Sequence, residues 1–428
     1  MRYKTISKGM YIRNRAKLIA KLKTGSLAIV NSNDEMPRSG DQTFPFRQNS
    51  DMFYLTGLDQ EQCILTLCPG HPVESMREML FTVKTNDLMV TWNGHKYSMD
   101  EVREVSGIQN VKWLDDFELT LRDLMSRVQI VYLNQNEYPK FTTEVPLCDN
   151  RFAEKMHHEF PVHSYERLAP LITSLRLIKE PEEIIQIRRA CELTNDGFRR
   201  VLSYVKPGVK EYEIEAEFTH EFIRKGATGH AYSPIIASGE NACILHYCSN
   251  ANTCNDGDLV LLDVGAEYGN YAADMTRTIP VNGKFSPRQR QVYEAVLRVL
   301  KAATVMLVPG TTIDKWHSGV CKIMEKELAG LGLISEFQIN DSSAETPAFF
   351  KYYMHGTGHF MGLDVHDVGS RQVVFETGMV ITCEPAIYIP EEGIGIRLEN
   401  DIMIAEEPVN LMEGIPIEPD EIEAIMRG

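Results

Sequence analysis

The chain has 428 residues, 43% of them hydrophobic, enough to bury a full core and to build two domains. Its 60 acidic residues outnumber 44 basic ones, for a formal charge of -16, which excludes nucleic acid or an anionic membrane as the main partner. Nine cysteines without a C-x-x-C pair exclude a disulfide framework and a structural zinc site, and no apolar run approaches the ~20 residues of a membrane span, so the cytoplasm is the expected location.

The first stretch, MRYKTISKGMYIRNRAKLIAKLK, is basic but lacks the apolar core and cleavage site of a secretory signal. Its apolar spacing predicts the first helix of a domain rather than a transit peptide. Strands are predicted at SLAIV, CILTLC, MLFTV and IVYLN, with a helix at DFELTLRDLMSRV. This alternation predicts an α/β domain over residues 1–172, with a mixed or parallel sheet under covering helices. The run SLRLIKEPEEIIQIRRA then places Pro181 at the start of a long amphipathic helix, and a second domain is predicted over 173–428.

That second part contains a weak repeat. VKPGVKEYEIEAEF and VPGTTIDKWHSGV each join one amphipathic helix to the next through a Pro-Gly pair, and Pro207 and Pro309 are 102 residues apart. Two half-domains follow from this, each a helix pair and then strands. In the first, LVLLDVGAEYGNYAADMTRTIPV reads as a hairpin turning at Tyr268-Gly269, which sets Asp263 opposite Asp274. In the second, MVITCEPAIYIPEEGIGIRLENDIMI turns at Glu391-Glu392 and sets Glu384 opposite Glu399.

Like charges directly opposed on a sheet are destabilising. The neighbours Leu261, Leu262, Val264, Ile381, Ile396 and Leu398 predict buried strands, where an unpaired charge is costly. Four such acids call for a cation. Between the hairpins, KYYMHGTGHFMGLDVHDVG holds His355, His359, His366, Asp364 and Asp367 and by itself resembles a metal cage. With four carboxylates already supplied, one nitrogen from a histidine completes the set. Mostly carboxylate with one imidazole suits Mn(II) or another divalent ion. Four carboxylates exceed the need of one such ion and point to two, about 3.5–4 Å apart, sharing bridging carboxylates and a water, the equipment of a hydrolase.

The order DVGAEYGNYAADMTRTIPVNGKFS, HGTGHFMGLDVHD and TCEPAIYIPEEGIGIRLEND resembles the pita-bread metallopeptidases, most closely the aminopeptidase P family. FPFRQNSDMFYLTGLDQ is similar to the creatinase-like first domain of that family, so the resemblance covers nearly the whole chain. It implies an α/β (α+β) architecture in which a pseudo-twofold catalytic domain follows the α/β domain. By matched position it implies Asp263, Asp274, His359, Glu384 and Glu399 as ligands of two divalent ions, Mn2+ first, with Co2+ or Zn2+ as alternatives. Asp274 and Glu399 stand in the bridging places, His359 and Glu384 complete one site, and Asp263 binds in the other. In the family a metal-bridging hydroxide attacks the scissile carbonyl, and the Glu384 position shuttles its proton.

The resemblance further implies that His246 and His366 line the substrate site, with His366 stabilising the oxyanion and His355 on the substrate side. Arg397, two residues before Glu399, faces the same side of a strand and can offset carboxylate charge, joined in the family by Tyr388 and by Asp41 from the first domain. Trp92 resembles a first-domain aromatic that closes the site of a neighbouring subunit, and a homodimer or homotetramer acting on peptides with proline second is implied. Asp364 and Asp367 are expected to support the loop. The chain departs from the family in a short stretch after His366 and in Ala386, where glycine is common after Glu-Pro; both bear on the pocket rim. A prolidase shares the ligands, and FPFRQNSD with HGTGH favours the aminopeptidase. A non-catalytic pita-bread protein, or a metal-free hydrolase of the creatinase type, predicts lost ligands, and none is missing. A methionine aminopeptidase would not need the large first domain.

Overall fold

The N-terminal apolar runs are four to six residues long, short enough that each strand needs neighbours to satisfy its backbone. In the computed structural model, which describes residues 3–341 and 345–428, the chain forms two units, one of Thr5–Arg176 and one built on Leu177–Gly428. The first unit opens with α1 (Lys8–Lys21), whose N-cap Ser7 accepts from the Gly9 amide. Strands β1 (Ser26–Asn31), β2 (Ile64–Leu67), β3 (Glu78–Thr82), β4 (Asn110–Trp113), β5 (Ile130–Leu133) and β6 (Ser164–Arg167) make one mixed sheet in the order β4-β3-β2-β1-β5-β6. Phe117, Leu121 and Leu124 of the helix Phe117–Met125 pack on Leu27, Ile29, Phe81 and Val131. Among the described residues no helix is long and apolar enough to cross a membrane.

The second unit repeats one plan twice. Helices α2 (Pro181–Tyr204) and α3 (Glu211–Arg224) flank Pro207-Gly208; α4 (Pro287–Val305) and α5 (Ile313–Gly330) flank Pro309-Gly310. Both glycines sit at positive φ, +95° and +92°, so each Pro-Gly pair forms a turn in the linker that follows the helix caps Val205 and Met306. Strands β7 (Ile235–Ser238), β8 (Leu259–Val264) and β9 (Met275–Pro280) follow the first pair as an antiparallel sheet. After the second pair come β10 (Val380–Cys383), β11 (Ala386–Ile389), β12 (Ile394–Arg397) and β13 (Asn400–Met403), with β10 on β13 and β11 on β12.

The first hairpin corrects the expected register. Tyr268 pairs with Tyr271 across Gly269-Asn270, and Asp263 lies opposite Thr276, not Asp274. Both turn residues have positive φ, +59° and +66°, a conformation that glycine and asparagine tolerate and Tyr268 does not. The slip moves Asp263's partner by two residues, which leaves Asp274 on the same side as a diagonal neighbour. In the second hairpin Cys383 pairs with Asn400 and Ala386 with Arg397, and the same count sets Glu384 against Glu399 in the break between the ladders.

The stretch 351–369 runs beside β10 without forming a strand of its own. Thr382 N donates to His359 O (2.9 Å), Met361 N donates to Val380 O (3.1 Å), and a Cβ on Gly358 would lie 2.0 Å from the Thr382 carbonyl oxygen. Asp367, a residue noted for its closeness to the histidines, turns away from them and meets Lys179 at 2.8 Å, with both side chains at most 2% exposed. Lys179 thus ties the histidine stretch to the entry of α2. Replacing Lys179 by methionine leaves Asp367 buried without this cation, and chemical denaturation is expected to show a loss of about 3–5 kcal/mol; a loss below ~1 kcal/mol would refute the anchoring role.

Candidate metal centre

Both hairpins and the histidine stretch meet at one point. Asp274, His359 and Glu399 each bring a donor atom, and these atoms lie within 4.8 Å of one another. His359 Nε2 is 3.3 Å from Asp274 Oδ2 and 4.0 Å from Glu384 Oε1. Asp263 joins them through Tyr232, whose hydroxyl is 2.6 Å from Asp263 Oδ1 and 2.6 Å from Asp274 Oδ1. One hydroxyl has one hydrogen to donate, so one of those two oxygens must itself carry a proton or share a cation.

Local bonds hold each donor in place. Glu384 N donates to Thr357 O (2.8 Å), and Glu399 N donates to Thr276 O (3.0 Å) while the Thr276 hydroxyl donates to Glu399 Oε2 (2.6 Å). Asp274 N donates to Asp401 Oδ2 (3.1 Å), a carboxylate that also accepts from the Cys191 thiol (3.4 Å). His359 Nδ1 lies 3.1 Å from the Phe360 carbonyl oxygen; donation there leaves Nε2 for the carboxylates, the arrangement a metal-binding imidazole needs.

The charges do not balance. Burial raises Asp263, and Arg397 opposes that rise while Asp274 adds to it. Burial also pushes Glu384 up to about 7, against the pull of His359 and Arg397 and with the help of Asp274 and Asp263. Glu399 is raised well above the usual carboxylate range by burial and by the other three acids. Burial disfavours the charge of His359, yet Asp274 and Glu384 outweigh it and bring the ring to about 9. Hard oxygens, one nitrogen and surplus negative charge in a buried space fit a divalent cation.

Arg397 forms the wall beside this cluster. It grips Asp263 through Nη2 and donates from Nε to the Thr276 hydroxyl (3.1 Å) and from Nη1 to the Tyr388 hydroxyl (2.8 Å). His355 Nδ1 lies 2.7 Å from Gly356 O and its Nε2 3.0 Å from the Tyr388 hydroxyl. Burial, and then the charge of Arg397, holds His355 down to about 3, so its ring is neutral, donates to the carbonyl and accepts from Tyr388. His366 and His246 are exposed, and the His366 ring stands edge-on to His359 with centroids 4.2 Å apart. Asp364 and Asp367 are outside the donor group found among the described residues. Asp41 and Trp92 belong to the first unit: Asp41 is exposed beside Gln42, which donates to it, and Trp92, on the helix Asp87–Asn93, is 81% exposed.

Three participants escaped the sequence reading. Thr276 would have followed from a turn placed at Gly269-Asn270, since it stands opposite Asp263. Asp401 lies two residues after Glu399, a spacing that keeps one side of a strand. Tyr232 lies in an irregular segment with no periodicity to single it out.

Two outcomes test the cluster as a cation site. Asp274→Ala is expected to abolish manganese binding measured by equilibrium dialysis, and retention of the parent stoichiometry would refute the convergence. Raised groups also keep their protons until the pH exceeds their pKa, so near pH 7 the metal-free site holds a proton on His359 and part of one on Glu384. Manganese must displace them, so its affinity should rise with pH between about 6 and 9, by about tenfold per pH unit for each proton displaced. Calorimetry in buffers of different ionisation enthalpy measures that release, and none at pH 7 would contradict the assignment.

Comparison with known proteins follows the same division of the chain. Residues 185–406 match the metallopeptidase family M24, and residues 11–132 match the aminopeptidase P N-terminal domain. An Xaa-Pro aminopeptidase of Escherichia coli (strain K12) is 37% identical over 437 residues, covering 98% of each chain. The structure of E. coli aminopeptidase P with the inhibitor Pro-Leu matches with a TM-score of 0.89 at 34% identity, over 99% of each chain. An Xaa-Pro dipeptidase of Mus musculus is 29% identical over 475 residues, covering 98% of this chain and 93% of its own. A largely buried carboxylate and histidine cluster, carried by a chain that these relatives match over nearly its whole length, makes this protein a member of metallopeptidase family M24 and a metallo-exopeptidase.

Proposed function

We propose that the protein releases the N-terminal residue from peptides whose second residue is proline, using two divalent ions, Mn2+ by preference. The observation that carries this reading is the meeting of four acids and one histidine from both halves of the second unit. Asp263, Asp274, His359, Glu384 and Glu399 would hold the ions. When bound, such ions supply an activated water and polarise a carbonyl.

The remaining steps belong to side chains. Glu384 would take up the proton of the attacking water and return it to the leaving group. His366 and His246, on the exposed side, meet the peptide, and His366 donates to the oxygen on which charge develops. Arg397, Tyr388 and His355 form a linked wall against which the residue before proline is held. A dipeptide that begins with proline inhibits the E. coli relative, as a product lying beyond the cleaved bond would, and this favours an aminopeptidase over a dipeptidase.

The nine free cysteines suit a reducing cytoplasm, and exposed Leu88, Val90 and Trp92 on the helix Asp87–Asn93 suit a homodimer or homotetramer. Manganese-loaded protein is expected to cleave an Xaa-Pro-Yaa tripeptide and to spare a tripeptide without proline. Cleavage of an Xaa-Pro dipeptide alone would move the assignment to a dipeptidase, and cleavage of none of the three would sink it.

A further inference from the structure

Glu211 is the first residue of α3 and is completely buried. Its Oε1 accepts from Ser238 N (2.8 Å), Ser238 Oγ (2.7 Å) and Asn241 Nδ2 (3.4 Å). Its Oε2 accepts from the Tyr247 hydroxyl (2.8 Å) and from Asn252 N (2.8 Å). All five donors are uncharged, and they fill the lone pairs that a carboxylate offers. A buried charge of this kind is stabilised by the number of its hydrogen bonds and by the helix N-terminus on which it sits.

The donors come from one loop. Ser238 and Asn241 stand at its entrance and Tyr247 and Asn252 at its exit, so a single carboxylate closes residues 238–252 on themselves. That loop carries His246. Its inner side rests on the strand that ends in Arg397: the Ala242 carbonyl oxygen would lie 2.2 Å from a Cβ on Gly395, and Cys243 Sγ donates to Ile394 O (3.5 Å). Ala242 also shares an apolar cluster with Tyr388, and Tyr247 packs against that cluster. A shift of the loop would therefore be felt at Tyr388, at Arg397 and at His246 together.

We propose that Glu211 is a positioning residue, whose clasp on the 238–252 loop sets His246 against the Tyr388 and Arg397 wall. This rests on the reading of His246 as a peptide-contacting group. Glutamine at position 211 keeps the shape but turns an NH2 group toward amide and hydroxyl donors, which breaks one side of the clasp.

The test is a cycle of Glu211→Gln, His246→Ala and the double variant, read as kcat/KM on an Xaa-Pro-Yaa tripeptide in manganese-loaded enzyme. Glu211→Gln is expected to lower kcat/KM at least tenfold, to retain the manganese content of the parent, and to speed hydrogen exchange at Ser238 and Asn252. In the His246→Ala background the same change should cost less than twofold. Multiplicative losses in the double variant, or an unchanged kcat/KM in Glu211→Gln, would overturn the proposal, whereas His246→Ala with full activity would overturn the reading beneath it. If Glu211→Gln does not fold, Tyr247→Phe replaces it in the cycle, with a smaller loss that must also vanish in the His246→Ala background.

Discussion

Four carboxylates, Asp274 and Glu399 buried and Asp263 and Glu384 half-buried, share one space in the second unit, and the fold around them is organised by what it takes to keep them there. Unpaired charges in a low-dielectric interior are strongly disfavoured, and like charges worsen the problem. Arg397 offsets Asp263, His359 offsets Asp274 and Glu384, Thr276 donates to Glu399, and Tyr232 bridges the two aspartates. These groups reduce the surplus without removing it. The raised Glu384, Glu399 and His359 are the same imbalance expressed as protons, and protons are what a divalent cation displaces.

The pseudo-symmetry of the unit follows from this requirement. A single hairpin can present two acids on one side, but four acids around a cation need two hairpins that meet. The halves solve the pairing differently. In the first, a two-residue turn at Gly269-Asn270 makes Asp263 and Asp274 diagonal neighbours with a hydroxyl between them; in the second, Glu384 and Glu399 fall opposite one another in a break between ladders. The halves are stitched at Thr276, which bonds Glu399 through its backbone and its hydroxyl.

How far the sequence carries depends on the kind of signal. The strand SLAIV was readable as a short continuous apolar run, buried at every position, and the helix begun by Pro181 from its amphipathic period. The repeated Pro-Gly pairs were readable because proline presets the φ of one turn residue and glycine alone takes the positive φ of the next without strain. The four acids stood out by their apolar neighbours, and the structure brings all of them to one cluster. The turn at Gly269-Asn270 was misplaced by one residue, since a symmetric count ignores which residues tolerate positive φ. Tyr232, Lys179 and Glu211 left no pattern at all. Each acts from an irregular segment or a helix end on residues far away in sequence, and only packing shows the partner.

Two of these residues, Lys179 and Glu211, share a physical role that explains their chemistry. His246 and His366, the groups proposed to face the peptide, stand on segments without regular backbone bonding, the kind of segment that opens most readily. A catalytic geometry tolerates little looseness in such segments, so each needs an anchor from the rigid part of the unit. Lys179 supplies one as a buried ion pair under the stretch that carries His359 and His366. Glu211 supplies the other as a carboxylate saturated by the loop that carries His246. In both cases a charge is buried away from the metal cluster, and the strictness of its bonding demands is what makes an irregular loop rigid.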